Sequence, residues 1–364
     1  MIQMQPHLDQ PALPLGRHLM ACPFPRDMVP LLRCNSDAGE LAVAEALRCD
    51  GDAVWDAVLR CKICGAQFRI EEGIARLLPN QLTPEDQHEM NIRDTIDYVC
   101  TNPGPFVPPP EGWRSVLSDM LEVPPHLNGL HTASSNTVLE LACGDGRFTT
   151  LIAEKGARIL AVDFSLNALR LLAQRLPAGA RVGRVQADIN QLHVASHSFD
   201  RALTLTPLDS RDERMNMYRM IANALTDDGR YVASVEHDDL NRRLLGLRFV
   251  RRYSRDGILI EHLTAETMRR EAAPYFSKLR IRPIRPRVPF VAKLPHGLAL
   301  PILRLFAALP LARQFGELLL LTARLPVRLP VEGEYRSGNR IAKGVYRAYM
   351  RTKKLKASWG EEPV

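Results

Sequence analysis

Between residues 137 and 240 the apolar positions follow two alternating rhythms. Short runs at Val138–Leu141, Arg158–Val162, Val182–Ala187, Phe199–Leu205 and Gly229–Val235 have the length of buried strands. Between them, Arg147–Lys155, Leu166–Leu176 and Arg211–Leu225 have helical spacing, with Leu166, Leu169, Leu172 and Ala173 on one face. Continuous apolar strands alternating with helices predict α/β architecture with a parallel, doubly wound sheet. Further on, Lys278–Pro283 and Gly316–Pro326 read as a sixth and a seventh strand, and Thr264 starts a helix running to Pro274. An apolar helical insertion is expected at about 294–314, where His296–Gln314 carries breaks at Pro301 and Pro310.

Ahead of this core, Thr83-Pro-Glu-Asp has an N-cap, a first-turn proline and early acids, so a helix is expected to about Tyr98. Cys100–Pro110 holds five prolines and is expected to be irregular. Trp113–Leu121 reads as a short helix closed by Pro124-Pro125. The expected organisation is a cysteine-bearing module at 20–80, a helical lid and Pro-rich linker at 81–136, the α/β domain at 137–326 and a basic appendage at 327–364. In that appendage, Ile341–Lys356 sets Tyr346 and Tyr349 among Lys343, Arg347, Arg351, Lys353 and Lys354.

Composition is that of a soluble globular chain, 46% hydrophobic and 24% charged over 364 residues. The net charge of +7 hides an asymmetry: residues 241–364 hold 26 Lys and Arg against 9 Asp and Glu. Such a basic third fits an anionic partner, RNA or a membrane surface, or a solvated arginine-rich face. Met1–Met20 lacks the basic head and apolar core of a signal peptide, and no run of about 18 uncharged apolar residues occurs. A cytoplasmic location without a transmembrane segment is therefore expected, with peripheral membrane contact left open. Seven cysteines in such a chain point to metal ligands or buried thiols rather than disulfides.

Cys61-Lys-Ile-Cys64-Gly65 has the form of a metal knuckle, with two thiolates three positions apart and a glycine behind them. Upstream, Cys34 and Asp37 repeat the spacing with a carboxylate in second place. Cys34, Asp37, Cys61 and Cys64 thus form a plausible set for one structural zinc, with Cys22 and Cys49 as spare candidates for the fourth position. The order of elements resembles a small zinc ribbon of the Trm112-like type, whose ending is matched at Phe68, Ile70, Gly73, Ile74, Leu77 and Leu78.

The chemistry of the α/β core gathers at Val138-Leu-Glu-Leu-Ala-Cys-Gly-Asp-Gly-Arg-Phe-Thr149. A strand, a turn of small residues and a helix start bring backbone N–H groups close to a ligand. A dinucleotide site wants Gly-x-Gly-x-x-Gly facing a pyrophosphate. Here Glu140 and Asp145 flank Ala142, Cys143, Gly144 and Gly146, and those acids would repel phosphate and suit a cation. Asp163 ends the second strand, placed for ribose hydroxyls, and Asp188 ends the third.

These motifs, with Leu160-Ala-Val-Asp-Phe-Ser165, Gln186-Ala-Asp188, Ser198-Phe-Asp200 and Leu225-Thr-Asp-Asp-Gly-Arg-Tyr231, resemble a class I S-adenosylmethionine-dependent methyltransferase. The resemblance implies a seven-stranded Rossmann-like sheet and S-adenosyl-L-methionine as cofactor. It further implies that Ala142–Gly146 lie along the methionine and ribose, Asp163 on the ribose, and Asp188 and Ile189 around the adenine, with Glu140 and Phe164 also among the cofactor-binding residues. A general base is needed only for a protonated acceptor. Asp209, Glu236, His237 and Asp238 are the candidates, and His237 is placed just past the fifth strand. The acceptor expected is a small molecule or biosynthetic intermediate, methylated at oxygen. An RNA base of the ribosomal guanine type is the alternative, a non-catalytic scaffold whose ribbon recruits a partner is the third, and oligomeric state is left open.

Overall fold

The computed structural model describes residues 22–79, 82–95, 113–205, 210–239, 251–253, 259–286, 291, 294–309 and 314–327. Five strands come first: β1 (Phe24–Pro25), β2 (Leu41–Asp50), β3 (Ala53–Cys61), β4 (Gln67–Glu71) and β5 (Ile74–Arg76). The α/β core supplies β6 (Thr137–Leu141), β7 (Arg158–Asp163), β8 (Arg181–Gln186), β9 (Phe199–Thr204) and β10 (Leu225–Glu236). A small hairpin, β11 (Arg251–Tyr253) and β12 (Leu259–Glu261), stands apart, and β13 (Phe276–Pro286) and β14 (Gly316–Pro326) return to the main sheet. Its core runs in the order β8-β7-β6-β9-β10-β14-β13, with β6 to β10 parallel and β14 antiparallel to both neighbours. Every residue of β6 is buried, as are the last five of β7. This is why these segments read as unbroken apolar runs.

The sheet has twelve strands rather than seven. β5 pairs in parallel with β8, Ile74 opposite Arg184 and Arg76 opposite Gln186, and β4, β3, β2 and β1 continue from it. Without β5, β8 would present a row of unpaired backbone groups at an open edge. The join is made by side chains too. Buried Arg184 donates to the carbonyls of Cys22 (2.5 Å), Glu72 (2.9 Å) and Leu169 (3.0 Å). Gly183 leaves room for Phe24 and Met28, since a Cβ there would lie 3.0 Å from the Phe24 ring and 3.1 Å from the Met28 sulfur.

Seven α-helices are described: α1 (Pro84–Thr95), α2 (Trp113–Leu130), α3 (Thr149–Ala153), α4 (Leu166–Arg175), α5 (Arg211–Ala224), α6 (Ala265–Ala272) and α7 (His296–Ala308). Helix α2 does not stop before Pro124-Pro125 but passes through both. Burial of Val123, His126 and Leu130 offsets the two lost donors, and Gly129 lets the helix approach Val232 and Thr322. Helix α7 likewise runs through Pro301, while Pro310 lies outside the described residues. Helix α3 is only five residues long, shorter than the Arg147–Lys155 expected. Helix α5 starts with a capping box of Ser210 and Glu213, and Thr264 caps α6. Arg214 of α5 donates to both oxygens of Glu271 on α6, at 2.9 Å each, and to Glu261 on β12. The loop at Cys100–Pro110 and the basic segment Ile341–Lys356 lie outside the described residues.

Candidate functional site

Strand order reverses at β6, which has β7 on one side and β9 on the other. At such a switch the two outgoing connections diverge and leave a crevice beyond the carboxyl ends of the strands. The turn after β6 lines it. Ala142 has φ 55°, Gly144 56° and Gly146 93°, so three of five consecutive residues lie in the left-handed region. For Ala142 this costs about 1–2 kcal/mol. A Cβ on Gly146 would collide with the side chain of Leu172. Asp163, at the end of β7, fixes the turn: Gly144 N donates to its Oδ2 at 2.7 Å, and Ser165 N donates to its Oδ1 at 2.9 Å.

The acids of this turn are held away from their charged forms by burial. Glu140 is 1% exposed, and neither carboxylate oxygen has a hydrogen-bond partner. Burial pushes its carboxyl up to about 8; the nearby Thr149 hydroxyl opposes the rise and the charge of Asp163 adds to it. Burial also raises Asp145 to about 6, although Arg175 Nη1 lies 2.5 Å from its Oδ2. A cation placed here would hold both acids in their charged form.

Towards β8, Gln186 Nε2 donates to the Phe164 carbonyl at 3.0 Å, and Asp188 Oδ1 accepts from Asn190 N at 2.9 Å. Phe164 is half-buried, and Ile189 packs on the core. Asp94 of α1 accepts from Ser165 Oγ at 2.6 Å and from Asn167 N at 3.2 Å, so α1 lies beside Phe164 at the start of α4. Glu140, Ala142, Cys143, Gly144, Asp145, Gly146, Asp163, Phe164, Asp188 and Ile189 thus stand at the ends of three adjacent parallel strands, along one edge of the sheet.

His237 follows β10 on that same edge. Its Nδ1 lies 2.7 Å from the Gly316 carbonyl, and its backbone N donates to the Glu317 carbonyl at 2.8 Å. A carbonyl only accepts, so Nδ1 carries the hydrogen and Nε2 of the neutral ring is an acceptor. Asp209 lies outside the described residues.

Sequence reasoning missed a charged group on α2. Glu122 accepts from Arg147 at 3.0 Å and from Arg285 at 3.1 Å, and Arg285 also meets Glu317 at 2.7 Å. Burial pushes Glu122 up, but the two arginines outweigh it and hold its carboxyl below the ordinary value. One turn on, buried His126 places Nδ1 2.7 Å from the Glu122 carbonyl, while Nε2 has no hydrogen-bond partner. Burial lowers its pKa, which favours the neutral ring. No motif marks these residues, because their partners are 25 and 163 positions away.

In the N-terminal module, one ligand atom each from Cys34, Asp37, Cys61 and Cys64 lies within 4.8 Å of every other. Cys34 Sγ and Cys64 Sγ are 3.7 Å apart, and Cys61 Sγ is 3.3 Å from Asp37 Oδ1. A tetrahedral zinc with arms of about 2.3 Å has sulfur–sulfur edges of about 3.8 Å, so the donor set fits that ion. Gly39 makes room for it, since a Cβ there would lie 2.7 Å from Cys61 Sγ and 2.9 Å from Asp37 Oδ1. The spare candidates stand elsewhere: Cys22 against the Val182 carbonyl and Cys49 on β2 opposite Val54.

Residues 138–229 match a family described as a methyltransferase domain. No curated protein matches it. Similar solved structures include an S-adenosylmethionine dependent methyltransferase from Mesorhizobium loti, 23% identical over 57% of this chain and 99% of that one, with a TM-score of 0.43. A second is the 1,6-didemethyltoxoflavin-N1-methyltransferase of Burkholderia thailandensis, 19% identical over 78% of this chain and 99% of that one, TM-score 0.41. A third is a phosphoethanolamine N-methyltransferase of Haemonchus contortus, 17% identical over 60% of this chain and 54% of that one, TM-score 0.39.

Proposed function

We propose that this protein is an S-adenosylmethionine-dependent methyltransferase acting on a small-molecule acceptor, at an oxygen atom. The observation that carries this is Glu140, whose two buried, unpartnered oxygens stand where a ligand would meet the turn. A cationic ligand would supply the counter-charge that lets this buried carboxyl ionise, whereas a pyrophosphate would oppose its ionisation. The backbone of Ala142–Gly146 would lie along the methionine part, with Asp163 and Phe164 at the ribose and Asp188 and Ile189 at the adenine. When bound, the cofactor supplies a sulfonium methyl already activated for in-line displacement. What remains for the protein is positioning and exclusion of water. His237 Nε2 accepts the proton of an acceptor hydroxyl, and the Gly316 carbonyl holds the ring in the tautomer this needs. Cys34, Asp37, Cys61 and Cys64 hold one structural zinc.

Methyl transfer to an RNA base is the second reading, and one observation favours it. Arg201, Arg230, Arg324 and Lys278 stand opposite one another across β9, β10, β14 and β13. Like charges so placed repel, and phosphates would relieve them.

Methyl-labelled cofactor incubated with protein and fractionated cell extract separates these readings. Once unreacted cofactor is removed, label is expected in a small-molecule or lipid product, and His237→Gln is expected to lower it about 100-fold without changing cofactor affinity. Label in RNA would move the assignment to the second reading. Cofactor binding with no labelled fraction would leave the protein a non-catalytic scaffold.

A further inference from the structure

The outward face of α7 is apolar, which is the reverse of an ordinary surface helix. Leu298, Ile302 and Leu305 recur at i, i+4 and i+7 and are 60%, 40% and 69% exposed, and Leu309, just past the helix end, is 50% exposed. The opposite face is already used: Ala299 and Leu303 are buried, in a cluster with Val291, Leu121, Leu294 and Leu300. The exposed stripe is therefore not a core face left over by the fold.

Cations flank it. A groove of about 510 Å³ between α2, β13 and α7 is lined by Arg280, Arg282, Arg285 and Arg304. Arg285 is committed to Glu122 and Glu317. Among the described residues, Arg280 and Arg304 have no acidic partner. At its upper end the groove reaches Pro286 and Gly316, and the Gly316 carbonyl is the group that holds His237. The groove thus runs from Arg304 of α7 to the carbonyl that holds the candidate base.

We infer that α7 and the arginine groove beside it form a docking surface for an anionic lipid bilayer. Leucines enter the acyl boundary while Arg304 and Arg280 meet headgroup phosphates, the division of labour of an interfacial helix. Nucleic acid would use the arginines but has no use for four exposed aliphatic side chains in a row. A second copy of the chain fits less well, because four side chains offer a few hundred Å² where a stable dimer needs roughly 800 Å² per partner. No helix among the described residues is long and apolar enough to span a bilayer, so contact is at the surface. If the methyltransferase reading holds, on which this extension rests, the acceptor is an amphiphile with an anionic headgroup, reached from the interface through the groove.

Flotation of the full chain with vesicles tests this. Binding is expected to vesicles of phosphatidylcholine with 30% phosphatidylglycerol, roughly the anionic content of a charged leaflet, and not to phosphatidylcholine alone. Leu298→Ser with Leu305→Ser should weaken it at least tenfold, and Arg280→Glu with Arg304→Glu should abolish the preference for the anionic lipid. Thermal melting of each variant confirms folding, and Leu305→Lys is the second variant should the double change disturb α7. No binding to the anionic vesicles, or binding that the leucine changes leave intact, overturns the inference. So does RNA binding lost with the arginines alone, or a dimer in light scattering that dissolves in the leucine variant. S-adenosylhomocysteine calorimetry on the same samples keeps the two claims apart: normal calorimetry with failed flotation removes only the membrane, and the converse removes only methyl transfer.

Discussion

Glu140 carries most of the specific chemistry at the scale of single residues. It sits at the end of a buried strand with neither oxygen paired, and burial holds its carboxyl near 8. Two consequences have definite signs. The folded-state value exceeds the ordinary 4.5, so the folded protein keeps a proton that the unfolded chain gives up, and stability of the ligand-free protein falls as pH rises from about 4.5 to 8. A cationic cofactor favours the ionised form, so its binding releases the proton. Affinity for S-adenosylmethionine is therefore expected to rise between pH 6 and about 8 and level off above, with Glu140→Gln flattening the curve; calorimetry across that range measures it. Affinity that falls with pH would contradict this. Much of this was legible in sequence, because Glu140, Asp145 and Asp163 bracket a run of small residues. What could not be read is that Ala142 sits in the left-handed region normally given to glycine. A composition of small residues says that backbone comes close, not which φ each adopts.

Elements were legible wherever local pattern and tertiary burial agree. Gly316–Pro326 is a strand with the bounds that its apolar run predicts, and Ser210 and Thr264 start helices as their side chains dictate. Misreadings came where burial overrides a local signal. Pro124, Pro125 and Pro301 read as breakers, yet α2 and α7 continue through them, because Val123, His126 and Leu130 in one and Ala299 and Leu303 in the other are buried at the core. The hairpin of β2 and β3 turns at Asp50-Gly51-Asp52, a signal present in the chain but passed over in favour of the cysteines. The joint of α5, α6 and β12 at Arg214 was invisible, since its acids are 47 and 57 positions away. Glu271→Gln leaves the buried guanidinium with Glu261 alone and weakens two charge-assisted hydrogen bonds, so it is expected to cost about 1.5–3 kcal/mol in urea unfolding. A loss under 1 kcal/mol would mean that the joint does not hold the helices.

At the scale of the whole molecule the N-terminal module and the α/β core share one sheet. The pairing of β5 with β8 carries backbone hydrogen bonds from one to the other, and Arg184 and Gly183 reinforce the seam. Sequence could not reveal this, because a cysteine module 60 residues upstream of a complete α/β pattern reads as a separate unit. The shared sheet predicts cooperative behaviour. If Cys34, Asp37, Cys61 and Cys64 hold zinc, a chelator or Cys61→Ser should lower a single melting transition of the whole protein, rather than split off an early one. Two resolved transitions in calorimetry would show that the module melts alone, and a melt indifferent to the chelator would argue against the metal.

The central claim is that the turn after β6, clasped by Asp163, seats an adenosyl ligand. Isothermal calorimetry with S-adenosylhomocysteine, wild type against Asp163→Ala, tests it most directly. One ligand per chain is expected, with affinity at least tenfold weaker in the variant while its circular dichroism stays that of the wild type. Absence of binding to the wild type, or binding that Asp163→Ala leaves unchanged, would contradict the account.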